Sequence, residues 1–244
     1  MLAIGWIWLG LGFFLVSDSE PQTAADLVAR SIAYHDPQGK WPTLSGTLIL
    51  GESRPSGDER DLRVTLDIPG ERFIYDLRQD GDHVVKTLQG TDCSATVNGE
   101  TSFSPALAEK YRTSCEQIQR YRNYYLYLYG LPMKLRDPGG HIQEPWQKAE
   151  YQGKPVLAVR VTYDPEVGQD VWDFYFDPET YALVGYRFFR PDRPDSGEYI
   201  LLEGEGKLGE TGIRLPQSRA WYTNKDDRYL GTDRLKGFSS ENLP

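Results

Sequence analysis

The chain has 244 residues, with 27 Lys and Arg against 36 Asp and Glu and a formal charge of −9. That balance argues against a nucleic-acid backbone or an anionic membrane surface as partner, since either would need a clustered positive field. Aromatic residues make up 13% of the chain, enough large rings to build a core and to exclude intrinsic disorder.

Residues 1–16, MLAIGWIWLGLGFFLV, carry no charged side chain and lead into Ser17-Asp18-Ser19. This reads as a signal peptide over residues 1–19, followed by a single domain over 20–244. The apolar run is short for a spanning helix of about 20 residues, although a membrane anchor is the alternative, and no Lys or Arg precedes the run. No Cys stands close enough behind it for lipid attachment. The mature protein is therefore expected to be exported, periplasmic or extracellular, with no stable membrane span once the leader is removed.

Thr23-Ala24-Ala25-Asp26 has the form of a helix cap, and Leu27, Val28, Ser31, Ile32 and His35 recur at helical spacing, giving a helix of about three turns that ends near Pro37. From Ser45 to Val97 the pattern changes to GTLIL, DLRVTLDI, RFIYDLR and HVVKTL, divided by Pro55-Ser56-Gly57, Pro69-Gly70 and Asp80-Gly81. These alternating runs predict an antiparallel meander, with Leu62, Val64, Leu66 and Ile68 on one face.

Helical signals return at Ser104-Pro105 and at Ser114 with Gln117, a capping box before EQIQRYRNYYLYLYG, which Gly130 and Pro132 end. Ile118, Tyr121, Tyr125 and Leu128 share a face of that helix, while Tyr124 and Tyr127 point elsewhere. Strands resume with VLAVRVTY, DVWDFYF, ALVGYRFF, EYILLEG and SRAWYTN. Two antiparallel runs flanking a helical pair predict a mainly β fold with helices (α+β), a strongly curved antiparallel sheet or half-open β-barrel with helices packed in its concave side.

Cys93 and Cys115 are the only cysteines, and in an oxidising compartment an isolated pair is expected to form a disulfide; two unpaired thiols follow if the chain is not exported. His35, His83 and His141 show no metal-ligand spacing, and His35-Asp36-Pro37 suggests a helix-capping role. No catalytic motif, phosphate-binding glycine loop or metal site is evident, and no cofactor is expected. The carboxylates at Asp192, Asp195 and Glu198, and at Asp226, Asp227 and Asp233, read as solvated turns.

The segment Tyr121, Tyr124, Tyr125, Tyr127 and Tyr129, followed by Leu131, Pro132 and Met133, has more apolar surface than one core contact needs. It predicts either a helix buried on both faces or an aromatic wall for an apolar ligand. The candidate ligand-binding residues are Tyr124, Tyr125, Tyr127, Tyr129, Leu131, Met133, Trp172 and Phe174.

SIAYHDPQGKW, RNYYLYLYGLPMKLRDPG, VTYDPEVGQDVWDFYFDPETYALVGYRFF, SGEYILLEGE and WYTNKDDRYLGTD resemble a domain-of-unknown-function family of exported bacterial proteins, over roughly residues 24–235. That family is in turn similar to the lipoprotein-localisation and periplasmic lipid-carrier superfamily. The resemblance implies a half-open antiparallel barrel, plugged by helices, that holds a lipid or acyl chain in its concavity without enzymatic chemistry. Two other functions stay open. One is an interaction or scaffold domain for a protein or glycan, which exposed Trp146 or Trp221 would favour. The other is a hydrolase in which a histidine meets a carboxylate and a nucleophile.

Overall fold

The computed structural model describes residues 20–57 and 59–240. The expected signal peptide lies outside the described residues. Helix α1, Ala24–His35, starts where Thr23 accepts a hydrogen bond from the Asp26 N–H at 3.0 Å, as its cap signal requires. Its buried stripe of Ala24, Leu27, Val28, Ser31 and His35 matches the helical period.

Five strands follow: β1 (Ser45–Ser53), β2 (Arg60–Asp67), β3 (Arg72–Gln79), β4 (Asp82–Gln89) and β5 (Asp92–Val97). Each is antiparallel to the next. Leu50, Leu62, Leu77, Val84 and Val97 line up across all five and are buried, so the alternation in each strand becomes one continuous apolar row. Then come α2 (Pro105–Tyr111) and α3 (Cys115–Tyr129). The Ser104 and Ser114 hydroxyls cap them by accepting from Leu107 N–H and Gln117 N–H. The Cys93–Cys115 disulfide ties β5 to the first residue of α3, closing a 22-residue separation.

The second half supplies β6 (Gly140–Ile142), β7 (Gln147–Tyr151), β8 (Lys154–Tyr163), β9 (Val171–Phe176), β10 (Leu183–Arg190) and β11 (Arg193–Glu203), a short hairpin of β12 (Gly206–Lys207) and β13 (Arg214–Leu215), then β14 (Ser218–Thr223) and β15 (Tyr229–Ser239). The main sheet has 13 strands, in the order β5-β4-β3-β2-β1-β15-β14-β11-β10-β9-β8-β6, with β7 also on β8. The two meanders are thus fused through β15, which pairs with β1 on one side and β14 on the other. The first and last strands of that order do not pair with each other, so the barrel is not closed.

Curvature follows from which strands α3 touches. β3 is third and β8 eleventh in the strand order, which on a flat sheet would set them about 38 Å apart at about 4.8 Å per strand. Yet Tyr125 packs against Tyr75 of β3 at 5.9 Å between ring centroids, and Tyr127 against Tyr163 of β8 at 6.1 Å. Two residues of one helix reach both only if the sheet bends strongly. A smaller cluster, Tyr151, Val156, Tyr175 and Tyr199, packs apart from the main core. There the Tyr151 ring lies on Tyr175 at 4.0 Å, and its hydroxyl donates to the Ile200 carbonyl at 2.9 Å.

Candidate ligand site

Helix α3 is the centre of the aromatic site. Ile118, Tyr125, Leu128 and Tyr129 are its buried residues. Tyr125 stacks on Phe73 at 6.2 Å, and its hydroxyl donates to Glu52 Oε1 at 3.1 Å. Tyr129 lies under the Arg219 guanidinium, 3.9 Å from ring centroid to Cζ. Burial pushes the hydroxyls of Tyr125, Tyr127 and Tyr129 well above the usual phenol value, so they stay neutral hydrogen-bonding groups.

The candidate residues fall into three places. Tyr127 hydrogen-bonds Tyr163 through their hydroxyls and meets Trp172 edge-on at 5.4 Å. These three rings, with Leu126, Lys134 and Asp137, line a cavity of about 550 Å³ on the β8–β9 side of α3. Tyr124, 40% exposed and stacked on Trp221, and Tyr125 line a second cavity, of about 590 Å³, on the β1–β3 side. Tyr129, Leu131, Met133 and Phe174 lie in the main core at 9% exposure or less. An aspartate at Leu131 would therefore test folding and not ligand binding.

The sheet face that meets α3 also carries buried charge. Glu52 and Asp233 pair across β1 and β15 and are 4% and 2% exposed. Glu52 accepts from Arg60 and forms an ion pair with Arg54 at 3.5 Å. Arg54 also reaches Asp233 at 2.9 Å, and Asp233 accepts from the Trp221 indole at 3.1 Å. Asp233 had been expected in a solvated turn. Its register opposite Glu52 and Arg219 buries it in this network instead. The signal was present in the strands: Glu52 continues the phase of Leu48 and Leu50, and Asp233 precedes Leu235 in phase.

The histidines are separate from this site. His35 is not a helix cap; that role falls to the Asp36 backbone N–H, which donates to the Ile32 carbonyl. The buried His35 ring instead bridges two segments, with Nδ1 2.7 Å from the Arg214 carbonyl and Nε2 2.9 Å from the Leu183 N–H. Nδ1 is thus the donor and Nε2 the acceptor of a neutral ring, and burial lowers its pKa to about 4. His83 pairs with Asp76 at 2.9 Å and His141 with Asp164 at 2.7 Å. Neither ring is hydrogen-bonded to a hydroxyl nucleophile among the described residues. No group of three or more metal-ligating side chains occurs among them. Trp221 is buried and Trp146 half-buried, its indole donating to the Pro21 carbonyl at 2.9 Å.

A family described only as one of unknown function, DUF6503, matches residues 6–236. No curated protein matches the chain. Among solved structures, the chain is similar to a LolA superfamily protein from Nitrosomonas europaea, with a TM-score of 0.56 at 10% identity over 91% of this chain and 95% of that one. It also matches a DUF1329 family protein from Desulfovibrio piger, with a TM-score of 0.49 at 12% identity over 93% and 96% of the two chains. The first likeness is one of fold.

Proposed function

We propose that this chain, which belongs to the DUF6503 family of unknown function, is an exported carrier that binds a lipid or lipoprotein acyl chain against α3 inside its curved sheet. The observation that carries this reading is the position of α3. It touches β3, β8, β9 and β14 at once and keeps an aromatic-walled cavity on each flank. On this reading α3 occupies the concavity of the half-barrel, as the fold likeness to the LolA superfamily protein suggests. Each cavity has the volume of a small-molecule site. Burying a ligand methylene contributes about 0.8 kcal/mol, so an alkyl chain of about a dozen carbons supplies useful affinity after ordering costs. Carriage requires neither a cofactor nor a catalytic group.

Export fits the disulfide, since such bonds persist in oxidising compartments. Among the described residues no helix is long and apolar enough to cross a membrane.

The test is native mass spectrometry of the full chain produced in a host that exports to an oxidising compartment, followed by organic extraction. A stoichiometric lipid is expected, released when Tyr127→Ala and Trp172→Ala open the wall beside β8. Oxidised protein that carries no lipid and takes up no fluorescent fatty acid would overturn the reading.

A further inference from the structure

The cavity on the β1–β3 side of α3 has a charge opposite to that of the whole molecule. The chain carries −9, yet the wall of this cavity holds Arg54, Arg60, Arg112 and Arg120 against a single carboxylate, Glu52. Glu52 is already engaged by Arg60, Arg54 and the Tyr125 hydroxyl. Arg120 has only Glu116, and both side chains are about three-quarters exposed, so that pair holds the arginine weakly. Arg112 forms no ion pair among the described residues.

Behind the wall stands Lys86. It takes a core position of β4, in phase with Val84 and Leu88, and is 1% exposed. Its Nζ lies 3.8 Å from the centroid of the Tyr121 ring and 4.5 Å from that of Tyr75, two rings that line the cavity. It has no carboxylate partner and no hydrogen bond among the described residues. Cation–π contacts offset only part of the cost of removing an ammonium from water. Burial, followed by the charges of Arg112 and Arg60, brings its pKa down to about 7. Arg60 adds a buried Nε with no hydrogen-bond partner. A buried ammonium without an anion either gives up its proton or gains a negative partner.

We propose that this cavity binds an oxyanion, a phosphate or carboxylate group, with Lys86, Arg60 and Arg112 supplying its counter-charge and the Tyr75 and Tyr121 rings flanking it. Guanidinium groups donate paired hydrogen bonds to such oxygens, and the buried ammonium adds charge behind them. The cavity, about 590 Å³, far exceeds a bare oxyanion and leaves room for whatever the group is attached to. The site does not require acyl-chain carriage, because an oxyanion can arrive free or as the head of an amphiphile.

Calorimetric titration of the full chain at low salt separates these cases, using inorganic phosphate, dodecyl phosphate below its micellar concentration, and uncharged dodecyl maltoside. Dodecyl phosphate is expected to bind, with Lys86→Met and Arg112→Gln each weakening it by about tenfold. Lys86→Met removes an unpaired buried charge and should hold or raise the melting temperature, so its loss of binding cannot be attributed to misfolding. Phosphate bound with the same sensitivity to both variants identifies a free oxyanion as sufficient, and phosphate bound without either alkyl ligand keeps the site while removing the carrier reading. Binding of dodecyl maltoside as tightly as dodecyl phosphate, with neither variant changing either, overturns the oxyanion site and leaves the carrier reading standing. Failure of both phosphates to bind also overturns it.

Discussion

Glu52 shows how a single residue can follow the hydrophobic pattern and yet not belong to it. Alternation along β1 places it inward after Leu48 and Leu50, and there its carboxylate holds Arg60, Arg54 and Tyr125 together. Glu52→Leu should lower stability by about 2–4 kcal/mol in urea unfolding, since it leaves the partly buried Arg60 without its ion pair and the Tyr125 hydroxyl without its acceptor, while Arg54 keeps Asp233, and Glu52→Leu with Arg60→Met should recover part of that loss. His35 gives a pH dependence of definite sign. Its folded pKa, about 4, lies below the unfolded value near 6.5, so the unfolded chain binds the extra proton first. Its contribution is complete above about pH 6.5 and is lost as pH falls toward 4, by about 3 kcal/mol in all. Carboxylates titrate in the same range, so the measurement is the difference in unfolding free energy between the parent and His35→Asn across pH 4 to 7. That difference should shrink as the solution is acidified.

At the scale of elements, much was legible in the sequence. The caps at Thr23, Ser104 and Ser114 each accept the backbone N–H their signal implied, and the runs from Ser45 to Val97 form the expected meander. Less legible was β15, whose YLGTDRLKGFS mixes glycine with charges on a strand buried between two neighbours. Its Gly231 carries a φ of +150°, with the Arg54 side chain and the Ser53 carbonyl where a side chain would go, so the glycine marks a close approach and not a turn. The short β6 and β7 likewise gave no period to read. Aromatic content flagged α3 as a candidate wall but could not say which tyrosines face a cavity, because that depends on strands far away in sequence. Replacing both Cys93 and Cys115 with serine should cost about 3 kcal/mol, read as a lower urea midpoint, since the bond constrains the unfolded segment between β5 and α3. Ser114→Ala should cost about 1 kcal/mol at the same junction.

For the molecule as a whole, the decisive contact is the pairing of β15 with β1, as in Ser53 with Thr232 and Leu50 with Leu235. Without it the sheet is two separate meanders, each with a free backbone edge and only some of the strands that α3 touches. Ending the chain before Tyr229 should therefore yield aggregated material and not a partly folded monomer, as size-exclusion chromatography would show. The same pairing sets a timetable for biogenesis. A central strand of the sheet leaves the ribosome after every other strand described, so the two meanders cannot be joined until it emerges. Until it does, β1 and β14, its two neighbours in the sheet, each keep an unpaired edge. Two locally paired halves are thus made first and joined afterwards, so the sheet is completed only once the segment that bridges them is available.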